Sequence, residues 1–169
     1  MIDRRAAVRL GFGASALALL GPAAGRAEPS VKPLLPFLVD LPGWQGQKPT
    51  GFAFDSGGGA VVTATREYRR GADQIHLAIV VGPTAAGALA PIAAGMKLET
   101  AEGHMLTGDI AGFKAMRTYQ ISDKSGAILV ALGDRAMLSF GYRGLAEDEA
   151  LSLLEKLDLA GVRAAATAK

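Results

Sequence analysis

The chain has 169 residues and no cysteine, so disulfide bonds, thiolate metal sites and a cysteine nucleophile are excluded. Of its 18 basic and 16 acidic residues, four basic residues and one acidic residue lie within residues 1–27. The remainder therefore has a net charge of about −1, which gives no electrostatic support to nucleic-acid binding. Its length of roughly 140 residues fits one domain with one hydrophobic core.

Residues 1–27 have the composition of a cleavable export signal. The signal starts with a basic region that holds Arg4, Arg5 and Arg9. An apolar stretch over residues 10–20 follows, and it is shorter than the roughly 20 residues that span a bilayer. Gly25 and Ala27 place small residues before a cleavage site, so the mature chain is expected to begin at Glu28. We expect a periplasmic or secreted protein that keeps no integral membrane segment after cleavage.

The paired arginines Arg4 and Arg5 are typical of the twin-arginine route, which carries folded cargo. The apolar stretch is diluted by glycine and alanine, and Arg26 lies beside the cleavage site, which also favours that route. Asp3 and Ala7 depart from the twin-arginine motif, so an ordinary Sec signal that holds two arginines by chance remains the alternative. Lipid attachment at a lipobox is excluded because the chain has no cysteine.

The first half of the mature chain predicts a lead-in followed by three strands. Residues 28–40 are punctuated by proline and predict one short helical turn. The turn Leu41-Pro42-Gly43-Trp44 follows and carries the only tryptophan, which we expect to anchor the core. Alternating apolar residues and β-branched residues then predict strands at residues 51–55, 60–70 and 74–82, with a hairpin joining the last two.

The second half predicts two helices with four strands between them. Residues 83–99 have near-helical apolar spacing that glycines and Pro91 weaken, so an irregular or late-starting helix is predicted. Strands are predicted at residues 104–107, 113–121, 127–133 and 136–142. Residues 127–132 are apolar on both faces, which indicates a central strand covered on both sides. An amphipathic helix with an acidic start is predicted over residues 147–158.

The order of these elements, β-β-β-α-β-β-β-β-α, predicts an α+β fold. Hairpins dominate and strands separate the two helices, which is typical of an antiparallel sheet covered by helices. We expect about six or seven strands in that sheet. One domain is expected over residues 28–162, and residues 163–169 are expected to form a flexible tail.

Several short features together resemble one known fold group. The Leu-Pro-Gly-Trp turn stands before the first strand, and a hairpin over residues 61–81 leads into a helix. A glycine-containing segment at residues 108–115 leads into a long strand, and a hairpin over residues 128–142 leads to the last helix. In these features the chain resembles the PsbP/Mog-type fold, shared by the PsbP subunit of photosystem II, the Ran-binding Mog proteins and some secreted lipoproteins. The resemblance implies a non-catalytic binding or assembly protein, and it carries over no functional residue.

Two predicted strands each place an arginine and a tyrosine among apolar neighbours on one face. These pairs are Arg66 with Tyr68, and Arg117 with Tyr119. In a structural interpretation, each arginine snorkels or pairs with a carboxylate such as Glu67 or Asp109. In a functional interpretation, the four side chains line a cleft for the acidic group of a small ligand or of a protein partner.

Patterns typical of catalysis are missing from the sequence. It has no Gly-x-Ser-x-Gly motif, and the glycines at residues 57–59 lack the other residues of a phosphate-binding loop. His76 and His104 have only scattered carboxylates nearby in sequence, so no metal and no other cofactor is predicted. We therefore favour a non-catalytic binding or assembly-accessory protein. The alternative is a small enzyme, or a metal- or ligand-binding protein, whose site combines Arg66, His76 and Glu102.

Replacing both Arg4 and Arg5 with lysine tests the export route, because the change keeps the charge and removes the paired guanidinium groups. Uncleaved precursor is expected to accumulate in the cytoplasm, as measured by cell fractionation and immunoblotting. Arg9→Lys is the matched control and is expected to be exported normally. Normal export of the double variant would show that the Sec route carries the chain.

Overall fold

A computed structural model describes residues 29–168, and the predicted export signal lies outside this range. The strands are β1 (Gln45–Gly46), β2 (Thr50–Ser56), β3 (Gly59–Arg70), β4 (Asp73–Val81), β5 (Lys97–Glu99), β6 (Gly103–Ile110), β7 (Phe113–Gln120), β8 (Ser125–Gly133) and β9 (Ala136–Arg143). The helices are α1 (Pro83–Ala93), α2 (Glu147–Leu154) and α3 (Leu159–Thr167). A short 3-10 helix in the lead-in covers Leu35–Phe37.

All pairs among these nine strands are antiparallel, and the strands form one sheet. Its order is β1-β3-β4-β9-β8-β7-β6-β5, with β2 paired to β3 beside β1. The predicted α+β class with an antiparallel sheet is confirmed. The sheet has nine strands instead of six or seven, because β1 and β5 have only two and three residues. Runs that short leave no alternating pattern in a sequence.

Strand β8 shows why both faces of the sheet are covered. Ile128 and Val130 are fully buried in the larger core, which also contains residues of α2 and α3. Leu129 and Ala131 point to the opposite face and pack in a smaller cluster around α1. Successive side chains of a strand point to opposite faces of the sheet. A strand that is apolar throughout therefore needs other elements packed on both faces. The prediction of a central strand covered on both sides is confirmed, and we call the two sides the α2 face and the α1 face.

Helix α1 begins at Pro83, immediately after β4, so the prediction of a late start was wrong. Proline is favoured in the first turn of a helix, because its missing N–H group needs no partner there. Pro91 lies inside the helix, close to its C-terminal end. Ala85, Leu89 and Ile92 bury one side of α1 against the sheet, and this packing holds a helix that propensity alone would not favour.

The helix predicted over residues 147–158 corresponds to α2, which already ends at Leu154. A separate helix, α3, begins at Leu159 and extends to Thr167, where a flexible tail was expected from residue 163 onward. Asp158 caps α3 by accepting a hydrogen bond from the backbone N–H of Gly161 at 2.8 Å. Val162 and Ala166 are buried on the sheet. Alanine has the highest helix propensity, which favours α3. It also gives only a weak amphipathic pattern, and for this reason the apolar spacing in the sequence did not predict this helix.

Trp44 lies at the lead-in end of the larger core. It is 8% exposed and belongs to the same buried cluster as Leu38 and Leu41. The Arg70 guanidinium covers its ring at 4.5 Å from the ring centroid, which is cation–π geometry. Glu149 of α2 holds that guanidinium through an ion pair of 2.7 Å, so the contact also connects the lead-in to α2.

The change Trp44→Ala is expected to lower the free energy of unfolding by about 3–5 kcal/mol, because it leaves a cavity in the core. Chemical denaturation followed by circular dichroism measures this loss. Wild-type tryptophan emission is expected to be blue-shifted and to move to the red on unfolding. Phe52→Ala is the matched control, since that ring is 55% exposed and its loss is expected to cost less than about 1 kcal/mol. Equal losses for the two variants would contradict the anchoring role.

Candidate functional site

Arg66 fastens the lead-in segment to strand β3. Its Nε donates a hydrogen bond to the carbonyl oxygen of Gln47 at 2.7 Å, and its Nη1 donates to that of Leu38 at 2.6 Å. Its Nη2 forms an ion pair with Asp40, and the Arg66 side chain is 11% exposed. All three guanidinium nitrogens are therefore engaged within the chain. These contacts fit the interpretation in which Arg66 has a structural role. Its carboxylate partner is Asp40 of the lead-in, and not Glu67 or Asp109.

Tyr68 supports the same attachment from the next position on that strand face. Its side chain is fully buried, and its hydroxyl donates a hydrogen bond to the carbonyl oxygen of Val39 at 2.7 Å. Burial raises the pKa of Tyr68 to about 12, because the phenolate would lose its hydration, and the positive charge of Arg66 only partly opposes this. The polar groups of Arg66 and Tyr68 are thus already bound to the lead-in and are not available to a ligand.

Arg117 and Tyr119 lie on β7, four strands away from β3 in the sheet. Neighbouring strands are roughly 4.8 Å apart, so this pair lies about 19 Å from Arg66 and Tyr68. The structure therefore does not bring the four predicted residues into one cleft. The first pair lies under the lead-in, and the second lies in the half of the sheet that ends at β5.

A group of polar side chains surrounds Arg117 where α2 meets the sheet. Oε1 of Glu147 lies 2.9 Å from Nε2 of His104 and 3.6 Å from Nε of Arg117. The ring of Tyr119 lies 6.0 Å from that of His104 and is stacked at 6.4 Å on that of Tyr142, measured between centroids. We call these five residues, His104, Arg117, Tyr119, Tyr142 and Glu147, the Glu147 cluster.

The fold explains why these side chains meet. Glu147 is the first residue of α2, where the positive end of the helix dipole stabilises a carboxylate. The register of β6 and β7 puts His104 opposite Tyr119, on the face that α2 covers. Glu147 and His104 are 15% and 22% exposed, so solvent and salt screen their interaction less than that of a surface pair. Contact through Nε2 leaves Nδ1 of His104 for a second partner.

Tyr142 contributes a buried hydroxyl to the cluster. This hydroxyl has no hydrogen-bond partner in the described part of the chain, and the residue is 5% exposed. It lies beside Gly126, where any side chain would collide with it. Burial is the main cause that raises the pKa of Tyr142, and the negative charge of Glu147 acts in the same direction. The phenol therefore stays protonated and keeps an O–H donor.

Two cavities adjoin the Glu147 cluster, and both have the size of small-ligand sites. The larger cavity, of about 620 Å³, has walls that include Glu102, His104, Tyr119, Tyr142 and Arg143. The smaller cavity, of about 410 Å³, has walls that include Lys97, Glu99, Asp109 and Arg117. Polar side chains and open space thus coincide in this half of the sheet.

The three residues of the alternative enzyme site lie far apart. His76 points to the α1 face, where its Nδ1 lies 2.5 Å from Oε1 of Glu67, and about half of its side chain is exposed. Arg66 points to the α2 face and is engaged by the lead-in. Glu102 lies in the turn between β5 and β6, four strands away from β4. The structure therefore does not assemble a site from this set.

Glu147 and Tyr142 were not predicted as site residues, and no role was predicted for His104. Glu147 was noted only as part of an acidic helix start. The available signal was the adjacency of that acidic start to a strand ending in Tyr142, since a helix N-terminus beside a sheet end is a polar position. The partner histidine lies 43 residues away in the chain, and its pairing depends on the sheet register.

These features define an α+β domain with a helix-covered antiparallel sheet and a partly buried polar cluster in one half of it. Comparison with known protein families, with curated proteins and with solved structures finds no match. Within residues 29–168, no three histidine or carboxylate side chains are grouped to hold a metal ion. In the same range, no helix has both the length and the hydropathy to cross a bilayer.

The raised pKa of Tyr68 predicts a loss of stability at alkaline pH. An exposed phenol titrates near pH 10.0, and this one is expected to titrate near pH 12. The folded state holds the proton more tightly, so the stability from this group is complete below pH 10 and is lost between pH 10 and 12. At roughly 1.4 kcal/mol per pKa unit, the loss is about 2–3 kcal/mol.

Denaturant unfolding at a series of alkaline pH values measures this loss, and phenolate absorbance follows the titration. Tyr68→Phe is the matched comparison, since it lacks the titrating group and is expected to lose less stability over that interval. Its stability near neutral pH is expected to fall by about 1 kcal/mol, because the hydrogen bond to Val39 is removed. An identical pH dependence for the two proteins would contradict the burial of the hydroxyl.

Proposed function

We propose that the chain is an exported, non-catalytic binding or assembly-accessory protein that works in the periplasm or outside the cell. The predicted signal over residues 1–27 supports this location. The succession of hairpins, the Leu-Pro-Gly-Trp turn and the closing helices support a place in the PsbP/Mog-like fold group. Members of that group bind or assemble with other molecules, so the fold resemblance and the proposed function agree.

The observation that supports the binding role is that Arg117 forms one ion pair, with Glu147, and no hydrogen bond within residues 29–168. The carboxylate is approached by Nε at 3.6 Å. The terminal nitrogens of Arg117 donate no hydrogen bond within residues 29–168, and the side chain is 38% exposed. A guanidinium presents its donors in one plane, which matches the two oxygens of a carboxylate. The contact with Glu147 thus leaves the terminal donors of Arg117 for an acidic ligand.

The smaller cavity places a second basic side chain near Arg117. Lys97 and Arg117 contribute two positive charges to its walls. Asp109 is paired with Lys114 at 3.0 Å, whereas Glu99 in the walls and Glu147 beside Arg117 offset these two charges, so the site binds an acidic group through its unused donors and not through a net positive charge. We therefore propose a small molecule with a carboxylate or similar acidic group as the ligand, bound by Arg117 and assisted by Lys97.

One observation favours a second function, that of a small enzyme. Nε2 of His104 is fixed at 2.9 Å from Glu147, and Nδ1 remains to accept a proton beside the larger cavity. Such a pair needs a nucleophile or substrate group within reach. Burial keeps the phenol of Tyr142 protonated, so this hydroxyl is a hydrogen-bond donor and a poor nucleophile. The binding role is therefore the better supported of the two.

Retention of small acids by the purified protein tests the proposal. The protein is incubated with the small-molecule fraction of a periplasmic extract and desalted, and the retained molecules are identified by mass spectrometry. Wild-type protein is expected to retain one or more acids. Arg117→Gln is expected to lower their retention more than about tenfold, because a charge-assisted hydrogen bond contributes about 1.5–3 kcal/mol.

The matched control is Arg69→Gln, which removes an exposed arginine of β3, four strands away from β7. It is expected to retain the same acids as the wild-type protein. Retention of no acid by wild-type protein, or equal retention by Arg117→Gln, would overturn the proposed ligand and its site.

A further inference from the structure

Strand β2 exposes its two largest side chains. Phe52 and Phe54 are 55% and 49% exposed, and their rings stack with centroids 6.0 Å apart. The small residues Gly51 and Ala53 point to the α2 face, where Ala53 packs against the larger core. This reverses the usual pattern of a half-buried strand, in which the large apolar side chains face inward.

Packing enforces this orientation. A Cβ atom at residue 51 would collide with the carbonyl oxygen of Thr63 and with the side chain of Val31, so only glycine fits at Gly51. Shifting the register of β2 by one residue would turn Phe52 and Phe54 toward that crowded space. The exposure of the two rings is therefore a consequence of the register with β3, which is regular along all seven residues of β2.

β2 is also an edge strand. Among the described strands it pairs only with β3, so the backbone groups on its outer side have no strand partner. Edges of natural sheets are commonly protected by lysine, proline or a bulge. The segment Thr50–Ser56 contains no lysine, no proline and no interruption of its register. Asp55 is the one charged side chain on this edge, and an edge that is otherwise uncharged and regular is suited to the addition of another strand.

We propose that β2 pairs with β2 of a second copy of this chain, around a two-fold axis at Ala53. Such an axis makes the two strands antiparallel. Phe52 then lies opposite Phe54 of the partner subunit, so four rings form one layer on the α1 face. Asp55, the only charged residue of β2, lies opposite Gly51 of the partner subunit and avoids a second carboxylate. This self-complementarity favours a second copy over an unrelated strand.

The size of the contact sets its expected strength. Seven residues in each strand bury less surface than the roughly 1,600 Å² of a standard interface. The dimer is therefore expected to be reversible, with a dissociation constant in roughly the micromolar range. The two sheets would continue into each other across the axis, and the Glu147 clusters would stay outside the contact.

Sedimentation velocity on the purified protein, over about 1–500 µM, tests the association. Wild-type protein is expected to be a dimer at the highest concentration and to dissociate on dilution. The double variant Phe52→Lys and Phe54→Lys is expected to stay monomeric, with unchanged circular dichroism and Trp44 emission. Leu98→Lys is the matched control, since that side chain is 57% exposed on β5 at the opposite edge; it is expected to dimerise like wild-type protein.

The absence of cysteine allows the register itself to be tested. Phe52→Cys and Phe54→Cys proteins are oxidised together and separately. The mixture is expected to form several-fold more disulfide-linked dimer than either protein alone, because residues 52 and 54 are directly opposite each other across the axis. A wild-type protein that is monomeric throughout, a dimer that Leu98→Lys disrupts, or equal yields in the mixed and separate oxidations would overturn the proposal.

Discussion

Strands β4, β9 and β8 form the middle of the sheet, and the apolar side chains on its two faces must be covered there. Ile79 and Phe140 are fully buried on the α2 face, and Met137 packs under α1 on the other. A charge in this region would lose its hydration without compensation. Polar side chains therefore lie where this cover is incomplete, as the half-exposed pair of His76 and Glu67 does on the α1 face. The Glu147 cluster lies at the start of α2. The apolar rings of Phe52 and Phe54 are exposed because they lie on the edge strand β2.

The arginines of this protein differ in how fully their donors are engaged. Arg66 has backbone carbonyls and a carboxylate around its guanidinium. Arg70 lies over Trp44, and its hydrogen bond with Glu149 is the first cause of its raised pKa. Arg117 meets one carboxylate through Nε and keeps its terminal nitrogens. Fully engaged arginines hold segments of the fold together, whereas Arg117 has the remaining donors that recognition of an acidic group requires.

Period-two alternation was sufficient to predict seven strands and the two-sided burial of β8, because these features are local in the sequence. The cluster was not predictable in this way. His104 and Glu147 lie 43 residues apart, and α2 and the β6–β7 register bring them together. The partner of Arg66 was missed for a similar reason, since Asp40 lies 26 residues away, on the far side of the Trp44 turn. Side-chain pairing across a fold depends on packing that no single segment encodes.

The proposed ligand site at the Glu147 cluster and the proposed dimer contact on β2 lie in opposite halves of the sheet, and the distance between them determines whether they can interact. β2 and β7 are five strand steps apart, or roughly 24 Å. In the proposed dimer the two Glu147 clusters would therefore lie about 50 Å apart, far beyond the Debye length of about 8 Å at physiological salt. The charge of a ligand bound in one Glu147 cluster would therefore not change the ligand affinity of the other cluster. The dimer would act as two independent sites on one continuous sheet, and it would favour partners that present two acidic groups at a matching separation.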